Sequence, residues 1–371
     1  RIGLAAHDLA AALGAPEVVL SWALRDAGGP VIPSRFVLRV KALLGEQVER
    51  HVESEALRLA RMIDDAPPVA GHPRPQPMPS AEQRRVDLAV TGLDRLRGDP
   101  YEFYANAILR LRKLDALDAE PSAAWKGEVA HRILEDWHKA GEPVDGLHAI
   151  AQAVLTEKNA HPLMRALWWP RLSEALKTFH KLVLAHKAAG RKVVASEAWG
   201  DMRYRDIRIH GRADRIDRLS DGSLAVVDYK TGSPPTPRRV EEGFALQLGL
   251  IALIAQAGGF KDMQDREIAG IADKFEYWSM AKKKDAIGYT TTPLKEGKKR
   301  SGIEPDDFLP ETERYLNDAL DRWILGTEPF TARLNPELAS YADYDQLMRL
   351  DEWITSLGSR ERRESAGEDA A

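Results

Sequence analysis

Two aspartates and a lysine occur close together in the stretch GRADRIDRLSDGSLAVVDYKTG, which covers residues 211–232. Asp214 precedes Asp228 by fourteen residues, and Lys230 follows Asp228 after one intervening residue. Side chains alternate along a β-strand, so Asp228 and Lys230 share one face of the predicted strand LAVVDYK. Carboxylates from two neighbouring strands can hold a hard cation such as Mg²⁺ or Mn²⁺. A lysine beside them can activate water or offset charge on a phosphorane-like transition state.

The same residues also fit a plainer interpretation, in which charged groups end a strand because strand ends meet solvent. Gly211 stands near Asp214, and the turn residues Asp221 and Gly222 lie between the two aspartates. This arrangement agrees with a hairpin that brings the carboxylates together. The residues alone leave both interpretations open, a metal site and a solvated turn.

Three further polar residues lie on predicted elements outside this stretch. His131 belongs to an amphipathic helix, away from its apolar stripe, where the alternative is an ordinary surface histidine. Glu197 interrupts a strand of small and apolar residues, VVASEAWG, and is otherwise a strand-edge charge. Gln247 lies on a helix that is apolar nearly all round. A buried glutamine must find hydrogen-bond partners, either in the core or in a site.

Hydrophobic periodicity and turn residues predict the elements that must position these side chains. The predicted helices cover residues 36–62, 86–111 with a break near 98–100, 125–139, 168–188 and 243–257. The predicted strands cover residues 193–199, 204–217, 224–230 and 269–279. The order of helix, three strands, helix and strand indicates an α/β domain.

A proline-rich stretch divides the chain, because six of the fourteen residues at 67–80 are proline and cannot sustain a helix or a central strand. The 371 residues are enough for two or three domains. We therefore expect a mostly helical piece at 1–66, a linker at 67–80, a main domain at 81–335 and a C-terminal helix with a disordered tail at 336–371. Since the chain opens with Arg1 inside an apparent structured segment, we expect a piece of a longer protein.

The composition excludes several kinds of site. The chain has no cysteine, which rules out disulfides, thiolate zinc sites, iron–sulfur clusters and a cysteine nucleophile, and agrees with a reducing cytoplasm. It contains no G-x-x-x-x-G-K-[ST] motif, so we expect no P-loop ATP site. No apolar run approaches the ~20 residues that span a bilayer, so we expect no membrane partner.

Positive charge for a nucleic acid must be local, because the net charge is −4. Residues 282–300 carry seven basic and two acidic side chains, a balance of +5. The basic residues there are Lys282, Lys283, Lys284, Lys295, Lys298, Lys299 and Arg300, and Arg238 and Arg239 follow the LAVVDYK strand. These side chains could neutralise DNA phosphates, or they could form a solvated loop. The nearby aromatic residues Tyr277, Trp278 and Tyr289 could stack on bases or belong to the core.

Taken in order, these residues resemble the RecB-type nucleases of the PD-(D/E)XK superfamily. The resemblance covers about residues 85–335 and rests on five elements: G-x-x-x-H at 127–131, Glu197, GRADRID at 211–217, VVDYKTG at 226–232 and Gln247. It implies a PD-(D/E)XK core, with a central mixed sheet flanked by helices. It also implies site roles: His131, Asp214 and Asp228 as ligands of Mg²⁺ or Mn²⁺, Lys230 as the catalytic lysine, Gln247 near the site and the DNA, and Glu197 as the acidic residue before the core strands.

More narrowly, the chain resembles the C-terminal part of the AddB family of bacterial helicase–nuclease subunits, with residues 1–66 similar to the end of its helicase-like region. This resemblance implies a metal-dependent deoxyribonuclease, an exonuclease, that acts on double-stranded ends and single strands during double-strand break repair and recombination. It also implies an AddA-type helicase–nuclease partner. One alternative is a non-cleaving DNA-binding scaffold that keeps the nuclease fold. Another is an unrelated α/β protein with solvated charges.

The chain departs from this family at two positions. Many AddB-type nucleases hold the domain together with a four-cysteine iron–sulfur cluster, and Asp99 stands where the first cysteine is expected. We therefore expect side-chain packing to tether the first and last parts of the domain. The family helix often carries a tyrosine four residues after its glutamine, and this chain has Ile251 there. That change puts the contribution of the helix to DNA contact in doubt.

Overall fold

The computed structural model describes residues 2–26, 28–65, 72–114, 123–143, 146–158, 162–262, 264–284, 286–297, 301–335 and 343–354. The chain forms two compact units, Arg1–Ala70 and Gly71–Ala371, so their boundary falls inside the predicted proline-rich linker. None of the helices within the described ranges is long and apolar enough to cross a membrane.

The first unit is mostly helical. Its elements are α1 (Ile2–Ala12), the two-residue strands β1 (Arg25–Asp26) and β2 (Gly29–Pro30), α2 (Arg35–Leu44), a 3₁₀ turn at Gly45–His51 and α3 (Glu55–Asp64). The single helix predicted at 36–62 is therefore wrong. Gly45 ends α2 with a φ of +52°, a left-handed conformation that glycine adopts without strain.

The second unit contains a helical half and a sheet. Its elements up to the sheet are α4 (Ala81–Arg84), β3 (Leu88–Ala89), α5 (Val90–Gly98), α6 (Pro100–Phe103), a π-helical turn (Tyr104–Ile108), α7 (Ala123–Lys139), α8 (Gly146–Glu157) and α9 (Pro162–Ala188). Then follow β4 (Lys192–Tyr204), β5 (Ile207–Arg218), β6 (Leu224–Lys230), α10 (Pro237–Glu241), α11 (Gln247–Gln256), β7 (Phe260–Lys261), β8 (Glu267–Ile268), β9 (Ala272–Lys283), β10 (Ala286–Thr291), a 3₁₀ turn (Pro305–Asp307), α12 (Phe308–Ala319) and a π-helical turn (Leu320–Ile324).

Six strands form a mixed sheet in the order β10-β9-β6-β5-β3, with β4 also paired to β5. The pairs β4–β5, β5–β6 and β9–β10 are antiparallel, whereas β6–β9 and β3–β5 are parallel. The predicted coarse order of helix, three strands, helix and strand is confirmed by α9, β4 to β6, α11 and β9. The expected α/β fold, with a mixed central sheet flanked by helices, is confirmed as well.

Two hydrophobic cores cover opposite faces of this sheet. In β6, Val226 belongs to a core that includes α5, α11 and α12, which we call the α11-side core. The next residue, Val227, belongs to a core that includes α7, α8 and α9, the α7-side core. The strand β6 is therefore buried on both faces, and its C-terminal end lies between two layers of helices.

Several predicted bounds are wrong for identifiable reasons. The helix predicted at 243–257 begins only at Gln247, because Gly243 has a φ of +76° and the Leu246 N–H donates to Asp94 on the distant α5. The strand predicted at 269–279 begins at Ala272 and extends to Lys283. The short strands β3 and β10 were absent from the prediction. Residues 355–371, which include the predicted tail, lie outside the described residues.

Polar contacts at Asp99 join the two ends of the second unit. Asp99 is 2% exposed, and its Oδ1 accepts hydrogen bonds from the backbone N–H groups of Glu102 at 3.2 Å and Arg333 at 3.0 Å. The Arg333 guanidinium lies 3.6 Å from Asp99 and also pairs with Asp345. The expectation that packing alone supplies this tether is therefore incomplete, since hydrogen bonds and ion pairs contribute to it.

Replacing Asp99 is expected to destabilise this joint. Asp99→Ala leaves two buried N–H groups without their acceptor and should lower the free energy of unfolding by about 1–3 kcal/mol. Asp99→Asn keeps an acceptor oxygen, so its free energy of unfolding should fall by less. Urea denaturation measures both. Asp343→Ala is a matched control, because the Asp343–Lys113 pair is exposed and should contribute about 0–1 kcal/mol. An equal fall in the free energy of unfolding in Asp99→Ala and in the control would contradict the stabilising role of Asp99.

Candidate active site

Side chains stop alternating regularly between the two faces of the sheet at Glu197 in β4 and at Asp214 in β5. Ala195 and Ala198 pack against the α11-side core although they are three residues apart, and so do Ala213 and Ile216. A regular strand places residues on one face at a spacing of two, so both strands change phase here. Glu197 has a φ of +50°, a left-handed conformation that is strained for a residue with a side chain.

The phase change brings both carboxylates to His131 on α7. The strand register places Glu197 opposite Asp214, since the neighbouring pairs run directly across. Nδ1 of His131 lies 2.8 Å from Oε1 of Glu197 and 3.5 Å from Oδ1 of Asp214. One ligand atom from each of the three residues lies within 4.8 Å of the others. His131, Glu197 and Asp214 therefore converge from a helix and two strands, although His131 and Glu197 are 66 residues apart in sequence.

The remaining predicted site residues adjoin this group along β6 and α11. Oδ2 of Asp214 accepts a 2.7 Å hydrogen bond from the Tyr229 N–H, which ties β5 to β6 next to Asp228. Nζ of Lys230 lies 2.8 Å from Oδ2 of Asp228 and donates to Oε1 of Gln247 at 3.3 Å. Lys230 and Gln247 thus form a second arm of the cluster, with Asp228 between the two arms.

Burial and mutual charge shift the pKa values of these groups. Desolvation, together with the Asp228 charge, raises the pKa of Asp214 to about 7. Burial also raises the pKa of Asp228, and Lys230 opposes that rise. Burial lowers the pKa of His131, but the hydrogen bond to Glu197 and the Asp214 charge outweigh it and raise the pKa to about 9. Carboxylates held this close are destabilised as anions unless a cation neutralises them.

The donor set fits a divalent metal ion. Three carboxylates, from Glu197, Asp214 and Asp228, lie beside one imidazole, and the cations that pair with them are Lys230 and Arg212. Oxygen-rich sets with a single histidine suit Mg²⁺ or Mn²⁺ better than zinc. The ligand atoms that lie close enough to share an ion come from His131, Glu197 and Asp214. The structure thus brings together two of the predicted ligands, His131 and Asp214, adds Glu197, and leaves Asp228 beside this group rather than in it.

Two adjoining clefts border the cluster. A cleft of about 650 Å³ is lined by His131, Glu197 and Asp214, and another of about 840 Å³ is lined by Lys230. Thr91 and Gln247 line both clefts. A substrate can therefore approach the metal-ligating arm and the lysine arm at once.

The sequence did not assign two groups that the structure places in this site. The Tyr229 N–H orients Asp214, and the guanidinium of Arg212 lies 3.0 Å from Oε2 of Glu197. Arg212 belongs to the GRADRID motif, which could have indicated it. Ile251 is 3% exposed and belongs to the α11-side core, so this position does not face either cleft.

The predicted DNA-contacting residues lie in three places. Lys282, Lys283 and Lys284 are exposed at and just after the end of β9. Arg239 lines the larger cleft, whereas Arg238 is exposed and pairs with Glu242. Lys298, Lys299 and Arg300 lie outside the described residues.

Of the three aromatic residues near this basic run, two belong to the core. Tyr277 is 2% exposed and Trp278 is 1% exposed, so neither can stack on a base. Tyr289 is half-buried and lies 4.8 Å from Nζ of Lys283.

Comparisons with known proteins agree with this geometry. A family model of the PD-(D/E)XK nuclease superfamily matches residues 87–341. Uncharacterized proteins of Rickettsia conorii and Rickettsia typhi are 30% and 31% identical over 187 residues, which is 47% of this chain and 22% of each relative. One subunit of an ATP-dependent helicase/deoxyribonuclease of Streptococcus agalactiae is 26% identical over 164 residues, which is 41% of this chain and 15% of that protein.

The chain thus spans less than a quarter of the length of these relatives. The family match covers most of the second unit, including the whole mixed sheet and all six residues of the cluster. The chain belongs to the PD-(D/E)XK nuclease superfamily.

Proposed function

We propose that this chain is a deoxyribonuclease that uses Mg²⁺ or Mn²⁺ to hydrolyse phosphodiester bonds. The observation that carries the proposal is the convergence of His131, Glu197 and Asp214 within 4.8 Å, beside the Asp228–Lys230 pair. Structural ion pairs rarely bury several carboxylates this close together, because each loses hydration.

His131, Asp214 and Asp228, with Glu197 close by, would hold a divalent cation, which would supply a water of lowered pKa and neutralise charge on a phosphate oxygen. The chain's own groups do the rest. Burial lowers the pKa of Lys230, but its pairing with Asp228 outweighs this and raises it, so the ammonium stays protonated at neutral pH. From there it can donate a hydrogen bond to a developing oxyanion, while Gln247 fixes its orientation.

We also propose that the parent protein is part of a helicase–nuclease complex that processes double-strand breaks. The distant similarity to a helicase/deoxyribonuclease of Streptococcus agalactiae supports this assignment, as do the AddB-like motifs. An AddA-type protein is then the partner, and double-stranded ends and single strands are the substrates. Because the chain covers only 15% of that relative, ATP-driven unwinding would belong to other parts of the complex.

The direct test is degradation of linear DNA by the purified chain in Mg²⁺ or Mn²⁺, with EDTA as the blank. Asp228→Asn should abolish cutting while circular dichroism shows an intact fold. If the folded chain cuts no linear DNA in either metal, the nuclease assignment is wrong for this chain. Metal-dependent retention of DNA without cutting would favour the non-cleaving scaffold instead.

Metal binding is expected to stabilise the fold. At a Mn²⁺ concentration 100 times the dissociation constant, the free energy of unfolding should rise by about 2.7 kcal/mol. Asp214→Asn keeps an acceptor for the Tyr229 N–H but removes the charge, so it should lose most of this gain. Thermal denaturation with and without Mn²⁺ measures the difference, and Asp262→Asn, which alters an acid on the β7–β8 turn, is the control. An equal gain in all three proteins would place the ion elsewhere.

A further inference from the structure

Trp199 is a large aromatic side chain left exposed at the edge of the candidate site. It is 69% exposed and lines the 650 Å³ cleft together with His131, Glu197 and Asp214. Within the described residues of the second unit, Trp199 is the one aromatic residue among the large hydrophobic side chains that are strongly exposed. Leaving an indole in water forfeits a large hydrophobic gain, so this exposure calls for a partner.

The strand geometry holds Trp199 beside the site and turns it outward. It follows Glu197 by two residues on β4, a separation of about 7 Å along the strand. Ala198 and Met202 pack against the α11-side core, so Trp199 lies on the opposite, solvent-facing side of the β4–β5 hairpin. Across the hairpin it pairs with Arg212, and its ring lies 6.4 Å from that of His210.

The charges of the cleft favour stacking over phosphate neutralisation. Each of its three lysine and arginine side chains already has an acidic partner: Arg132 pairs with Asp136, Lys158 with Glu128, and Arg212 with Glu197. Phosphates would have to compete with these carboxylates. The exposed face of an indole has no such competitor, and every base presents a ring that can stack on it.

We propose that Trp199 stacks on an unpaired base and so seats a single-stranded DNA end next to the cluster of His131, Glu197 and Asp214. In a duplex the faces of a base are covered by its neighbours, so only an unpaired base can use this ring. The inference rests on the proposed nuclease function and adds to it a residue that positions the single-stranded substrate.

The test measures binding apart from cutting. A fluorescein-labelled oligothymidylate and a blunt duplex of the same length are titrated with the protein in EDTA. Trp199→Ala should weaken single-strand binding about tenfold, which is roughly 1.4 kcal/mol, and leave duplex binding within experimental error. Trp199→Phe keeps a ring and should retain most of the affinity. Ile271→Ala removes a side chain that is 74% exposed outside the cleft and should change neither.

Two further readouts follow from the same variants. The wild-type indole fluorescence should fall on adding oligothymidylate, and the fall should be smaller in Trp199→Phe. In Mn²⁺ the Trp199→Ala variant should show a raised KM for single strands with kcat unchanged.

The inference is overturned if Trp199→Ala binds single strands like the wild type, or if it loses single-strand and duplex binding equally. It is also overturned if the oligothymidylate quenches the fluorescence of the wild type and of Trp199→Phe equally. That result is expected if Trp199 binds a protein chain instead of DNA. Because the titrations contain no metal, a chain that binds in this way but never cuts would refute the proposed function alone. A chain that cuts single strands with the same KM in the wild type and in Trp199→Ala would refute this inference alone.

Discussion

Lys230→Ala should lower kcat on linear DNA by about 10²- to 10³-fold while DNA binding and the unfolding midpoint stay close to wild type. Removing one preorganised donor from a site of developing negative charge has an effect of this size. The Lys230 side chain is 30% exposed at a cleft wall, so its removal opens no internal cavity. Its contacts are Asp228 and Gln247, both within the site. The loss should therefore fall on the transition state and leave the fold intact.

Single-turnover cleavage in Mn²⁺ measures this effect without product release. Lys261→Ala is the matched control, because Lys261 is an exposed lysine of β7 that pairs with Asp265 away from the cluster. A Lys230→Ala variant that cuts within a few-fold of Lys261→Ala would show that the ammonium takes no part in the chemistry. A variant that fails to bind DNA would assign Lys230 to substrate binding instead.

Asp217→Ala should destabilise the second unit by about 3–5 kcal/mol. Asp217 is fully buried and accepts from Nε of Arg191 at 2.5 Å and Nε of Arg215 at 2.7 Å. Arg215 also lies 5.0 Å from the ring of Trp278 in the α7-side core. Removing the carboxylate leaves two guanidinium groups short of negative charge in a dry environment, and breaking a buried pair has an effect of this size.

Urea unfolding of the purified chain measures the loss, which is a large part of the 5–15 kcal/mol typical of a domain. Asp321→Ala is the control, since its 2.7 Å pair with Arg205 is largely exposed and should contribute about 0–1 kcal/mol. If both variants unfold at the same urea concentration, the buried network does not hold β4, β5 and β9 together.

The local pattern was sufficient for the residues that lie on regular elements. Alternation in LAVVDYK placed Asp228 and Lys230 on one face, and the 2.8 Å pair agrees with it. The helix at 125–139 was identified by the stripe of Val129, Ile133 and Trp137, all of which are fully buried. These features depend on neighbours two to four residues away, and such neighbours are visible in the sequence.

The rest depends on contacts between distant parts of the chain. The position of Glu197 depends on a left-handed residue inside a strand, which no propensity predicts. The start of α11 depends on Asp94, 152 residues from its partner Leu246. The strand β3 has two residues and exists only because β5 lies beside it. His131 could be linked to the carboxylates from sequence only through the family resemblance.

The joint at Asp99 has a consequence for how the protein responds to its surroundings. It consists of a carboxylate, a guanidinium and backbone amides, none of which is a target of mild oxidants or of metal chelators. Aerobic handling and prolonged dialysis against EDTA should therefore leave this closure intact.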